Sequence, residues 1–180
     1  MVVAGSLSLK MRKVWLAIII MLSIKGFARP VHYSFISHWE IKVPVKAVWE
    51  YINKGEEWHY WWRSVVKTKL LQKGDNNGIG EIIQYTWKSF LPFKLKINFK
   101  ITGKDLYKEI RGESTGDLIG AGVWRFEERN GITYVDYQWE VESTKKLVNF
   151  LSHFMKGFFT YSHNVIMRRG EKGLKKALRS

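Results

Sequence analysis

Between Tyr33 and Glu142 apolar residues recur at every second position in seven separate runs, and from about Lys145 to Leu178 they recur at every third or fourth. That single change of period confines the chain to a set of strands followed by one long helix. The runs cover residues 33–43, 64–71, 81–88, 93–101, 106–113, 118–127 and 132–142. In the clearest, Leu95, Ile97, Phe99 and Ile101 share one face while Lys94, Lys96, Asn98 and Lys100 share the other, so one side of the sheet is core and the other is wet. In the last, Thr133, Val135, Tyr137, Trp139 and Val141 point the same way. Gly74-Asp75-Asn76-Asn77-Gly78, Ser114-Thr115-Gly116-Asp117 and Arg129-Asn130-Gly131 separate the runs with residues that accept positive φ.

Two interruptions complete the pattern. After Pro44, the residues Val45, Val48, Trp49 and Ile52 fall at helical spacing until Lys54-Gly55, and Trp58-His59-Tyr60-Trp61-Trp62 forms a second, shorter helical turn. At the C-terminal end Leu147, Leu151, Phe154, Phe158, Tyr161 and Val165 are spaced 4, 3, 4, 3 and 4 apart, which predicts an apolar seam turned toward the sheet. Gly157 is a candidate kink within it. The expected class is α+β: a curved antiparallel sheet of about seven strands around a long C-terminal helix, with two short helices after the first strand. A sheet cannot close tightly over so long a helix, and a cavity between them is expected.

Composition narrows the chemistry. The 180 residues fit one domain, and the absence of cysteine excludes disulfides, thiolate nucleophiles and cysteine-ligated metal centres. Nine Trp, eight Tyr and ten Phe exceed what a core of this size needs, pointing to an apolar cavity, a membrane-facing patch or a stacking surface. The first 28 residues hold four basic side chains (Lys10, Arg12, Lys13, Lys25), no acid, and an apolar run from Val14 to Ile24. A bilayer span needs roughly 20 apolar residues. This run of eleven therefore reads as a signal-peptide-like leader or membrane anchor, with Gly26-Phe27-Ala28 offering a cleavage point. Export or membrane association is expected, a cytoplasmic protein being the alternative. The domain of residues 29–180 remains basic, the net charge of +14 falling to +10 without the leader (26 basic against 16 acidic side chains).

Seven motifs stand in order along residues 33–178: Trp39-x-Ile-x-x-Pro44-x-x-x-Val48-Trp49, Trp58-x-x-Trp61-Trp62, Gly78-Ile79-Gly80, Tyr85-x-Trp87 with Leu91-Pro92-Phe93, Gly116-Asp117-Leu118-x-Gly120-x-Gly122-x-Trp124, Tyr137-x-Trp139, and His163-x-x-x-Met167-x-x-Gly170-x-x-Gly173-Leu174. Together they resemble the polyketide cyclase/dehydrase and lipid-transport proteins of the START-like (SRPBCC, helix-grip) superfamily. The resemblance implies the helix-grip fold and either binding or transport of a lipid- or polyketide-like molecule, or a cyclase or dehydratase reaction on such a molecule. It names the fold more firmly than an activity.

The candidate ligand-binding residues are Trp39, Trp58, Trp61, Trp62, Trp87, Trp124, Tyr137, Trp139, Phe158 and Met167, since a preformed aromatic cavity gains about 25 cal/mol for each Å² it buries. Core packing is the alternative for all of them, and is the expectation for Val48, Trp49 and Phe126. Asp117 and His163 are the candidate catalytic groups. A carboxylate or imidazole in an apolar pocket acts as acid or base, whereas the structural alternatives are a turn cap for Asp117 and a helix hydrogen-bonder for His163. Arg63, Glu109 and Arg111 are candidate anchors for an anionic group or, alternatively, surface ion pairs. No cofactor is expected: no nucleotide-binding fingerprint occurs, and Gly116-x-x-x-Gly120-x-Gly122 has the wrong spacing. No metal is expected either, since His153 and His163 lie about 15 Å apart on a helix. The partners implied are a hydrophobic small molecule and an anionic membrane surface, and not nucleic acid, because the lysines are spread along wet strand faces.

Overall fold

The computed structural model describes residues 31–89, 93–144 and 146–179, with the backbone course alone for 146–156. The leader and the Leu91-Pro92 turn lie outside the described residues, as do the side chains of Leu147, Leu151, His153 and Phe154. Seven strands make one sheet: β1 (His32–Ile41), β2 (Val65–Gln72), β3 (Ile82–Trp87), β4 (Leu95–Asp105), β5 (Glu109–Gly116), β6 (Leu118–Arg129) and β7 (Ile132–Ser143). Their order is β1-β7-β6-β5-β4-β3-β2, every neighbouring pair antiparallel. The helices are α1 (Val45–Asn53), α2 (Trp58–Trp61), preceded by a 3₁₀ turn at Gly55–Glu57, and α3 (Lys146–Ala177). This is the curved antiparallel sheet around a long C-terminal helix that the change of period implies, and the α+β helix-grip fold that the resemblance implies.

Local chemistry fixes each joint. Asn130 (φ 53) and Gly131 (φ 72) form a two-residue loop between paired Arg129 and Ile132, the left-handed turn that matches strand twist. Pro44 enters α1 at φ −60, and the Val45 amide donates to the Glu128 carboxylate on β6 at 2.8 Å, which ties the helix start to the sheet. Val48, Trp49 and Ile52 then face inward. Because α1 and α2 intervene between β1 and β2, those strands end at opposite edges of the sheet, and the meander fills the space between them.

Two expectations are corrected. The strand placed at 106–113 begins at Glu109, because β4 runs on to Asp105 through an irregularity at Ile101/Gly103 and the chain turns at 105–108. Tyr107 has φ 62 there, and the Lys108 amide donates to the Asp105 carbonyl at 2.9 Å. Leu106 and Tyr107 are apolar residues in a turn and imitate a strand. The predicted seam of α3 is also displaced by about one residue. Phe159, Ser162, His163, Met167, Gly170 and Leu174 are buried, whereas Tyr161 is 54% exposed. A Cβ on Gly170 would overlap the Trp62 indole, and one on Gly173 would overlap the Trp61 carbonyl oxygen. The helix therefore docks through its two glycines, a contact that larger apolar residues on the neighbouring stripe would not permit. It runs unbroken through Gly157.

Candidate functional site

Under the sheet the apolar residues divide into two clusters. The larger gathers Trp39, Ile41, Val48, Trp49, Trp62, Trp124 and their neighbours; the smaller gathers Tyr33, Phe35, Ile97, Leu118, Val141 and Phe159. A cavity lies along their junction, between α3 and the inner face of β1, β3, β4, β6 and β7. Its volume is about 120 Å³, and it opens to solvent at its margin. An apolar occupant that covers these walls gains about 25 cal/mol for each Å² of apolar surface removed from water.

Most of the predicted lining residues meet here. Trp58 and Trp62 come from α2 and its end, Trp87 from β3, Trp124 from β6, Tyr137 and Trp139 from β7, and His163 and Met167 from α3. Trp124 stacks on Tyr137 at 4.1 Å between centroids, and Trp62 meets Trp87 edge to face at 5.1 Å. Three predicted residues stand elsewhere. Trp39 is buried behind the wall, edge to face with Trp62 and Trp124 at 5.4 Å each. Trp61 stacks on the far side of Trp62 at 5.4 Å, beside the glycine contact of α3. Phe158 gives its place to Phe159, one residue on, for the same reason that displaces the seam. The reading by residues missed Tyr33, Phe35, Tyr85 and Ile97 as lining. The strand period placed their runs inward, but nothing in it separated cavity from core.

The two catalytic candidates are not brought together at this cavity. Asp117 is absent from its lining: its carboxylate accepts the Lys96 amide at 2.7 Å and its own amide donates to the Lys96 carbonyl at 3.0 Å, pinning the β5–β6 turn to the start of β4. This is the structural role, across strands rather than within the turn. Glu109 pairs with Arg111 and Arg125 at 3.2 Å each, and neither it, Arg111 nor the exposed Arg63 lines the cavity. His163 does line it. Its ring is stacked on Phe35 at 4.0 Å with planes 11° apart and lies 5.9 Å from the Trp139 ring. Burial holds the imidazole below its ordinary range, to about 4; Asn164 opposes this, but without a hydrogen bond of ordinary geometry to either ring nitrogen. The group is therefore neutral at physiological pH. Burial also raises the Tyr85 and Tyr137 phenols, which stay protonated. Among the described lining residues there is no Asp, Glu, Lys or Arg, and among all described residues no cluster of three or more His, Cys, Asp or Glu is placed to hold a metal.

Trp61 Nε1, beside the larger cluster and outside the cavity, is buried without a partner, and the lining indoles differ among themselves. Trp58 Nε1 donates to the Ile52 carbonyl at 3.0 Å and Trp62 Nε1 to the Ile166 carbonyl at 2.9 Å. Trp139 Nε1, and both ring nitrogens of His163, are buried without a partner.

No protein-family model matches this sequence, and no curated protein matches it. Solved structures do. The fold is similar to the Zhui aromatase/cyclase from Streptomyces sp. R1128 (TM-score 0.66, 7% identity, 83% of this chain and 94% of that one). It is similar to a START superfamily protein from Mycobacterium smegmatis (0.66, 8%, 83% and 98%) and to ginseng major latex-like protein 151 from Panax ginseng (0.54, 8%, 77% and 97%). By these likenesses the chain has the START-like, helix-grip fold.

Proposed function

We propose that the protein binds and carries a hydrophobic small molecule in the cavity between its sheet and α3. One observation carries this: the space is walled chiefly by aromatic and aliphatic side chains, and among the described residues no Asp, Glu, Lys or Arg lines it. Among the described lining residues, reaction chemistry has the His163 imidazole and the Tyr85 and Tyr137 phenols to draw on, all held in their uncharged forms by burial, with the Asp117 carboxylate engaged at Lys96. A cyclase or dehydratase needs at least an acid and a base within reach of the substrate. The carrier reading needs only apolar area.

The test is extraction. Protein purified without detergent is extracted with organic solvent and the extract examined by mass spectrometry, alongside native mass spectrometry of the intact protein. A co-purifying apolar compound is expected, as is a change in tryptophan fluorescence on its removal, since five indoles line the space. Absence of any such compound, together with no fluorescence response across a panel of small apolar ring compounds, overturns the reading.

Membrane contact belongs to the same proposal. Lys67 and Lys69 of β2 and Lys96 and Lys100 of β4 are exposed on the outer face of the sheet, with Lys94 beside them. Such a patch is attracted to anionic lipid and is screened within about 10 Å at 0.1 M salt. Cosedimentation with phosphatidylserine vesicles, lost at 0.5 M salt, is expected. Binding that salt does not weaken argues against it.

A further inference from the structure

The polar atoms of the cavity narrow its occupant further than the apolar walls do. Buried donors and acceptors are almost always paired, and an exception needs an explanation. Here three exceptions come from two neighbouring rings: His163, 7% exposed, with both nitrogens unpartnered, and Trp139, whose buried indole nitrogen is unpartnered. Both rings line the same cavity and both stand against Phe35, at 4.0 Å and 6.1 Å. Packing thus fixes their planes before a ligand arrives. The other lining indoles with assigned acceptors, Trp58 and Trp62, spend them on backbone carbonyls.

We propose that His163 and the Trp139 N–H together bind the single hydroxyl of an otherwise apolar, uncharged, planar ring compound. The inference rests on the cavity reading above and deepens it by naming a ligand class. An indole N–H only donates, and a neutral imidazole has one donor and one acceptor nitrogen. A hydroxyl accepts from Trp139 and either donates to an imidazole nitrogen or accepts from an imidazole N–H, so it pairs with whichever tautomer His163 presents, one ring nitrogen of His163 staying without a partner. A carbonyl or ether only accepts, and pairs with only the tautomer that turns its N–H to the ligand. A carboxylate or phosphate brings a charge to a lining without Lys or Arg, where its desolvation is uncompensated. The flat walls, with Trp124 on Tyr137 and His163 on Phe35, suit a planar skeleton of a few fused rings, not a branched or globular one.

Four matched probes test this by isothermal titration of the full-length protein at pH 7.5: naphthalene, 2-naphthol, 2-methoxynaphthalene and 2-naphthoate. They share a skeleton and differ in one substituent. A site built to hydrogen-bond a hydroxyl rejects the analogue lacking it. 2-Naphthol is expected to bind about tenfold more tightly than naphthalene, with 2-methoxynaphthalene well below 2-naphthol and 2-naphthoate the weakest. In His163→Phe, which keeps a ring against Phe35, the ratio of naphthol to naphthalene affinity is expected to fall to within about twofold, and in Trp139→Phe to fall partway. Equal wild-type affinities for naphthol and naphthalene overturn the proposal while leaving the cavity reading standing. So does tighter binding of 2-naphthoate, or a full preference retained in both variants. If no probe binds, this inference fails, while the cavity reading is decided separately by the extraction test. The wild-type comparison decides even where a variant does not fold.

Discussion

The two clusters beneath one sheet are built from the same kinds of residue and solve opposite problems. Trp62 stands where the cavity lining passes into closed core: glycines let α3 approach the indole and its neighbour Trp61, the indole N–H is donated to a helix carbonyl, and Trp39 and Trp124 meet it edge to face. Around Phe35 the interior stays open, with an imidazole and an indole N–H left without partners. Within the cavity lining, the Trp58 and Trp62 indoles spend their N–H groups on backbone carbonyls, whereas Trp139 and His163 keep their ring nitrogens for something else. Aromatic content alone does not tell the two apart.

Substitutions break or sharpen that contrast. The largest loss is expected from Trp62→Ala, about 3–5 kcal/mol in urea unfolding, because the residue is 1% exposed and its removal empties the closed end. A loss below 1 kcal/mol would show that end to be loosely packed. Next comes pH. The unfolded imidazole takes a proton below about 6.5, while folded His163 resists down to about 4, so the unfolded state binds more protons between those values. Stability falls as pH drops through that window, by roughly 3 kcal/mol, and His163→Phe removes that part of the slope. An unchanged slope in the variant would place the titration elsewhere. Gly173→Ala is expected to cost about 1–3 kcal/mol, since the added methyl meets backbone and not a side chain that can turn away. Smallest is the indole pair. Trp62→Phe should lose about 0.5–1.5 kcal/mol more than Trp139→Phe, because only the first breaks an existing hydrogen bond. Equal losses would mean that the open end has a partner for Trp139.

The same contrast explains what could be read from the sequence. Inward strand faces were legible because alternation is a direct image of a pleated sheet: Tyr33, Phe35 and Trp39, or Tyr137, Trp139 and Val141, needed no tertiary information. Depth was not legible. Trp39 and Trp124 both face inward, yet one is sealed in core and the other lines the cavity, a difference set by how far α3 stands from the sheet. The helix face was misjudged because hydrophobicity favours Phe158, Tyr161 and Val165, whereas the buried stripe carries Ser162, His163, Gly170 and Gly173. Small and polar residues on a buried face signal close approach and binding, which an apolar period penalises. The ordered motif ending His163-x-x-x-Met167-x-x-Gly170-x-x-Gly173-Leu174 nevertheless lies on that stripe. At 105–108 the turn was hidden by Leu106, 62% exposed, because an apolar side chain on the surface leaves no periodic trace.

The seating of α3 on Trp61 and Trp62 has a mechanical side. Gly173 meets the Trp61 carbonyl, so backbone faces backbone with no side chain to yield. Phe159 lies fourteen residues up the helix, about 21 Å at 1.5 Å per residue, so the contact that sets the seat of α3 is made well away from the cavity end that Phe159 walls.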